Sequence, residues 1–402
     1  LVGLVVVVAA ALSHSTVADA VVITQHQTKE GAQNVFAWPG GVLVAGASPG
    51  GPVERVNSSP TFSLTPGTPG PRASEVTLGP DGNLWFLGGL FEKLPSGLQV
   101  EYSAIYEITA TEVAPRYRYP TPFLEYPAAG EMVTGPDHAL WIADPATGRI
   151  ERYDPSTGNF SSYAVRGTPI SIVSGPEDAM WFIDSDGYIG RITMQGEMTE
   201  HLIADGDTEG PLGFMQPYDI TTGPDGALWF TEGNGRIGRM TPNWQLEEFD
   251  VPNPQGLRQG DGGPSPRYIV AGPDQAMWFT DPGDVAIGRV TMSGEVSEYA
   301  IPGSPEAVPT HIASGPEGLL WFTEENTTEI GSVSPDAAPT ASNAVRVPKK
   351  GRKTTRTRGH CRAAVRNPQA TRGTRGRAAA HAESCGRKKV QKARAGRASS
   401  PR

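Results

Sequence analysis

The sequence predicts an all-β protein, a seven-bladed β-propeller of four-stranded antiparallel blades, and three observations carry that prediction. A unit reading G-P-[DE]-x-x-[LM]-W-[FI]-x-[ED] begins at Gly79, Gly135, Gly175, Gly223, Gly272 and Gly315, and a worn copy begins at Trp38. Successive starts lie 41, 56, 40, 48, 49 and 43 residues apart, the length of one propeller blade. The two ends of the repeated region are complementary, because the last repeat lacks a strand of the kind with which the chain opens.

Within a unit, Gly-Pro-Asp followed by Gly or His supplies the positive φ that a tight hairpin demands. Leu-Trp-Phe, as in Leu228-Trp229-Phe230, is apolar on both strand faces and suits a strand sandwiched between neighbouring blades. A third strand carries Ile189-Gly190-Arg191, Ile237-Gly238-Arg239 or Ile287-Gly288-Arg289, and a turn such as Met292-Ser293-Gly294 leads to an alternating outer strand over 295–301. In the worn copy, Pro39-Gly40-Gly41-Val42-Leu43-Val44 keeps the turn and the apolar strand but not the Trp. The last repeat stops after Ile330-Gly331-Ser332-Val333, and Val21-Val22-Ile23-Thr24-Gln25-His26 reads as an outer strand without a blade. Pairing them completes the seventh blade and removes two exposed edges. A solenoid also repeats, but its repeats are usually shorter and it needs polar caps that this sequence lacks.

Gly 49 and Pro 37 among 402 residues suit turn-rich β structure. The net charge of −9 hides two opposed regions: 336–402 holds 19 Lys+Arg against 2 Asp+Glu, and the remainder holds 15 against 41. Leu1–Leu12 is almost purely apolar and Ala18-Asp19-Ala20 fits a signal-peptidase site, so 1–20 is expected to be a secretory signal peptide, 21–335 the propeller and 336–402 a basic disordered tail. The apolar run is too short to span a bilayer, and no transmembrane segment is expected. The only cysteines, Cys361 and Cys385, lie in the tail.

The string Gly-Pro-Asp-Gly-x-Leu-Trp-Phe-Thr-Glu, followed by Ile-Gly-Arg and Gly-Glu-x-x-Glu-Tyr-x-Ile-Pro, resembles the virginiamycin B lyase (streptogramin lyase) family over 21–335. The resemblance implies elimination across an ester of a cyclic depsipeptide, with Mg²⁺ and a His base. The family's catalytic groups lie in a Glu-Pro-His-Gly-Ile stretch, in a Glu four residues past the last Trp, and in a His after Pro in the preceding repeat. Here Val308, Pro309 and Thr310 stand where the family has Glu, Pro and His, with His311 one residue late. Glu325 matches the Glu, and Pro266 is followed by Arg267. In a strand, a one-residue offset turns His311 to the opposite face unless a bulge restores it. Lyase activity on streptogramins is therefore not expected.

Loops entering the first strand and leaving the second share one face of the disc. The first set holds Tyr218, Asp219, Arg267, Tyr268, Thr310 and His311, expected to bind a ligand; the second starts at Asp144, Asp184, Glu232, Asp281 and Glu324. Two readings of the acids are open: a ring for a hard cation, Mg²⁺ or Ca²⁺, using Glu232, Asp281, Glu324 and Glu325, or a carboxylate in each blade that caps its own turn. His311 with Glu325 is the candidate acid–base pair. The tail has no aromatic residue, so it suits cell-wall polyanions and not specific nucleic acid. The sequence expectation is a secreted monomer that binds a small molecule or glycan on its loop face. A metal-dependent lyase or lactonase and a wall-tethered structural propeller are the alternatives.

Overall fold

Each Leu-Trp-Phe run forms the second strand of an antiparallel sheet, and everything else in the fold is arranged around it. The computed structural model describes residues 5–6, 21–27, 32–38, 41–46, 53–56, 76–93, 96, 99–109, 113–123, 130–203, 217–253, 263–302 and 308–335. Among these residues there are seven sheets, in chain order. Blade 1 has Ala32–Trp38, Gly41–Gly46 and Val53–Val56. Blade 2 has Val76–Leu78, Leu84–Lys93, Gln99–Ile108 and Val113–Phe123. Blade 3 has Glu131–Thr134, Leu140–Asp144, Arg149–Asp154 and Asn159–Ala164. Blade 4 has Pro169–Gly175, Ala179–Asp184, Tyr188–Thr193 and Met198–Leu202. Blade 5 has Pro217–Thr222, Leu228–Glu232, Arg236–Met240 and Leu246–Asp250. Blade 6 has Ile269–Ala271, Met277–Asp281, Ala286–Val290 and Val296–Ala300.

Blade 7 has Val308–Ser314, Leu320–Glu325 and Glu329–Ser334, and its fourth strand is Val22–Gln27, running antiparallel with Val22 opposite Ser334 and Gln27 opposite Glu329. The expected closure by the opening strand is what the fold shows. Of residues 1–20 the structure describes Val5–Val6, paired with Gln25 and Thr24 on the far side of that strand. The rest of the expected signal peptide, and the tail 336–402 with both cysteines, lie outside the described residues. No helix among the described residues is long and apolar enough to cross a membrane.

The core is a circle of inter-blade layers. Trp141 with Phe182 joins blades 3 and 4, Trp181 with Phe230 joins 4 and 5, Trp229 with Phe279 joins 5 and 6, and Trp278 with Phe322 joins 6 and 7. Trp321 with Val35 and Val42 joins blade 7 to blade 1, so the circle is closed. One face of each Leu-Trp-Phe strand thus offers Trp to the next blade and the other offers Phe to the previous one.

The repeated polar residues clamp this layer. In blades 2, 3, 5 and 6 the indole N–H donates to the Asp of Gly-Pro-Asp, at Asp81, Asp137, Asp225 and Asp274. In three of these blades the second carboxylate oxygen accepts from the third-strand arginine: Arg152 (2.6 Å), Arg239 (2.7 Å) and Arg289 (2.7 Å). Burial alone raises the Asp225 carboxyl, but the bonds from Trp229 and Arg239 outweigh it and hold the group below the usual range. The third-strand glycine is dictated by packing: a Cβ on Gly288 would sit 2.0 Å from the Phe279 ring. The expected positive φ falls on Gly82, His138, Gly226 and Gln275, and also on Asp178 and Gly318; where Glu replaces Asp, Glu177 and Glu317 adopt it as well, in short 3₁₀ turns.

Candidate functional site at the first-strand face

In blades 3 to 7 the innermost strand places one residue just before the buried aliphatic that pairs with the Phe, or in blade 3 with Ile142. These are Glu131, Ser171, Asp219, Tyr268 and His311, before Met132, Ile172, Ile220, Ile269 and Ile312. They link blade to blade. Glu131 accepts from the Ile172 amide (2.8 Å), the Ser171 hydroxyl donates to Asp219 (2.9 Å), and Asp219 accepts from the Ile269 amide (2.8 Å). Tyr268 and His311 pack ring to ring, with centroids 4.2 Å apart. Asp219, expected to bind a ligand, is buried and pins neighbouring blades: its carboxylate also accepts from its neighbour's amide at Ile220.

The Thr of Leu-Trp-Phe-Thr adds a second set of links. Thr231 and Thr280 accept from the amides of Asp219 and Tyr268 in their own blades and donate to the carbonyls of Arg267 and Thr310 in the next. In blade 7, Thr323 accepts from the His311 amide (3.0 Å), and its hydroxyl lies 2.7 Å from that of Thr310. Both residues fit opposite one Thr because the strand is irregular between Pro309 and Ile312, as it is in blades 4 and 5. Strict alternation therefore does not hold at His311, and the offset alone does not turn it away.

Arg267 differs from the seven arginines that form ion pairs among the described residues. Its guanidinium carbon lies 6.0 Å from the centroid of the Tyr218 ring, its Nε is buried without a hydrogen-bond partner, and no carboxylate pairs with it among the described residues. By contrast Arg116, Arg152, Arg166, Arg191, Arg236, Arg239 and Arg289 all meet an acid. Tyr218, Arg267, Tyr268, Thr310 and His311 are all half-buried, so each remains reachable.

The acids that end the second strands do not form a shared ring. Asp144, Asp184, Glu232, Asp281 and Glu324 are buried, each inside its own blade. Asp144 accepts from Ala146 and Thr147, Asp184 from Asp186 and Tyr188, and Asp281 from Ser265, Gly283 and Asp284. The turn-capping reading holds for these three. Each acid also has a partner that the sequence did not announce: Glu151, Glu200, Glu248, Glu298 and, in blade 7, Gln25. The last four stand opposite the third-strand glycines Gly190, Gly238, Gly288 and Gly331.

Burial pushes Glu151 up to about 7 despite the Tyr119 hydroxyl on it, and Glu324 up to about 7 despite Gln25. Burial likewise raises Glu232, with Glu248 beside it, and Glu298, with Asp281 and Asp284 beside it. Of the expected metal set, Glu324 is bound by Gln25, Glu325 is exposed, and Asp281 is grouped among the described residues with Asp284 and Glu298 and not with Glu232, Glu324 or Glu325. Adjacent strand residues face opposite ways, which is why Glu324 and Glu325 cannot converge.

Residues 124–342, more than half of the chain, match the model of the virginiamycin B lyase family. The chain belongs to that family. Virginiamycin B lyase from Staphylococcus aureus is similar to it at 25% identity and a TM-score of 0.60, over 78% of this chain and 98% of that one. The same figures hold for a catalytically inactive variant of that enzyme solved with quinupristin. The β-propeller domain of Cps50 (Swd1) from Myceliophteria thermophila shares the fold at 11% identity and a TM-score of 0.54, over 77% of this chain and 99% of that one. No curated protein matches the sequence. In this virginiamycin B lyase family member, Thr310 and Arg267 are the residues that the sequence resemblance sets against the two family histidines. One is tied to Thr323 and the other is the unpaired guanidinium.

Proposed function

We propose that this family member is a ligand-binding propeller. Its first-strand face takes a small molecule bearing a carboxylate or ester oxygen and a flat ring, without opening it. The observation that carries this reading is Arg267, a half-buried cation with an unsatisfied Nε beside Tyr218. A planar guanidinium matches carboxyl oxygens, and Tyr218, Tyr268 and His311 supply the aromatic walls. Export and a polyanion contact through the basic tail belong to the same reading and are supported by the sequence of 1–20 and 336–402.

The test is calorimetric titration of the full chain with quinupristin and with a panel of aromatic carboxylates, alongside mass spectrometry for ring opening. Saturable binding of at least one probe, weakened about tenfold or more by Arg267→Ala, is expected, with quinupristin left intact. Absence of any Arg267-dependent binding overturns the reading. A second reading, elimination on a cyclic ester with His311 as base, is favoured by the irregularity between Pro309 and Ile312. Ring opening abolished by His311→Ala would establish it.

A further inference from the structure

We propose that blade 6 binds one divalent metal cation, Ca²⁺ in preference to Mg²⁺, between Asp281, Asp284 and Glu298, where the equivalent acid pairs of blades 3, 4 and 5 are served by an arginine. This site shares Asp281 with the metal set expected from the sequence, but its other members are Asp284 and Glu298 in place of Glu232, Glu324 and Glu325.

The repeats act as internal controls. In blade 3 Arg149 stands opposite Asp144, and its charge favours the ionised form of Glu151. In blade 5 Arg236 takes the same position, opposite Glu232, and its guanidinium lies 3.6 Å from Glu248. In blade 4 that position is Tyr188; Arg166 lies 4.8 Å above its ring and brings Nε to 3.9 Å from Glu200. Blade 7 solves the problem differently, with the neutral Gln25 bonded to Glu324. In blade 6 the residue opposite Asp281 is Ala286, and no Lys or Arg among the described residues pairs with the acids. Instead a third carboxylate, Asp284, is added, and ligand atoms from all three lie within 4.8 Å of one another.

A second observation concerns Asp281 itself. Its side chain is 0% exposed, and three amides donate to Oδ1, but Oδ2 is buried with no donor. Glu298 Oε1 is buried in the same condition. Carboxylate oxygens removed from water without a donor or cation are costly, and a cation on them restores what hydration gave. Ca²⁺ accepts a flexible shell of oxygen ligands at about 2.3–2.6 Å, which three carboxylates and water can supply, whereas Mg²⁺ demands a near-ideal octahedron and gives up its own waters reluctantly. The exposed Asp284 side leaves room for the waters that complete a flexible Ca²⁺ shell.

The experiment uses the full chain, stripped with a chelator and desalted, then dialysed against about 1 mM Ca²⁺ or Mg²⁺, the range of extracellular calcium modules. Bound metal and thermal unfolding are both measured. One Ca²⁺ per chain and a rise in Tm of about 3 °C or more are expected. Asp284→Asn, at an exposed position, and Glu298→Gln, which copies the Glu–Gln pair of blade 7, should each lose the ion and the Tm response while remaining folded. No bound Ca²⁺, or binding unchanged in both variants, overturns the proposal. Neither result bears on Arg267-dependent ligand binding, so the two readings fail separately.

Discussion

Glu151 stands where blades 4 to 7 have a glycine, and the exchange has a packing reason. Gly190, Gly238, Gly288 and Gly331 each lie under a Phe ring that a Cβ would strike at 1.9–2.2 Å. In blade 3 the ring is replaced by Ile142, opposite Glu151, so a larger residue fits the third strand. The carboxylate of the outer strand has moved with it: Ser162 now stands opposite Glu151, where blades 4 to 7 have Glu or Gln. The pair with Asp144 survives by changing strands. Glu151 accepts from the Tyr119 hydroxyl at 2.5 Å and also faces Arg149, yet burial dominates and sets its carboxyl at about 7. A carboxyl raised in the folded state contributes stability that is full below about pH 4.5 and is lost as the pH rises through about 7. Glu151→Gln should therefore flatten the stability profile between pH 4.5 and 8. The difference from the parent should be at most roughly 3 kcal/mol, read from urea midpoints across that range. An unchanged slope would mean that Tyr119 and Arg149 hold the group ionised.

At the scale of elements, the strand Val22–Gln27 contributes more than pairing. Val21 and Ile23 enter the layer between blades 6 and 7, His26 lies 3.1 Å from the Ser332 hydroxyl and 4.7 Å from the Trp321 ring, and Gln25 holds Glu324. A chain beginning at residue 28 loses that burial and leaves Glu329–Ser334 as an open edge. We expect a stability loss of about 3–6 kcal/mol from Val21 and Ile23 alone, seen in denaturant unfolding, and association by gel filtration. A monomer of parental stability would contradict this account.

The blades and this closing strand were legible in the sequence because their signals are local: a turn, an apolar triplet, an alternating run. The site was less so. Glu200, Glu248 and Glu298 read as solvent-facing acids of an outer strand, and only the register places them over a glycine beside a buried Asp or Glu. Asp219 looked like a surface acid on a loop face, and only the approach of Ser171 and Ile269 from adjacent blades makes it a pin. The irregularity at His311 leaves no mark in composition. Arg267 and Tyr218 were named as a face, but that the arginine lacks an acid depends on seven other arginines having found theirs.

Across the whole molecule, 336–402 carries 19 Lys+Arg against 2 Asp+Glu, and the other residues carry 15 against 41. Counterion release makes such a basic run bind polyanions with a steep salt dependence. On a heparin column the full chain should be retained and elute with rising salt, and a chain ending at residue 335 should flow through; equal retention would rule out the tail as the contact. The closing strand has a consequence of another kind. Gln25 and Glu324, which touch in the last blade, are 299 residues apart in the chain. Synthesis delivers Gln25 299 residues before its partner, so the strand stays unmated while that whole stretch is made. Loop closure over that distance is slow. That strand is therefore open to wrong partners while the intervening blades are being made.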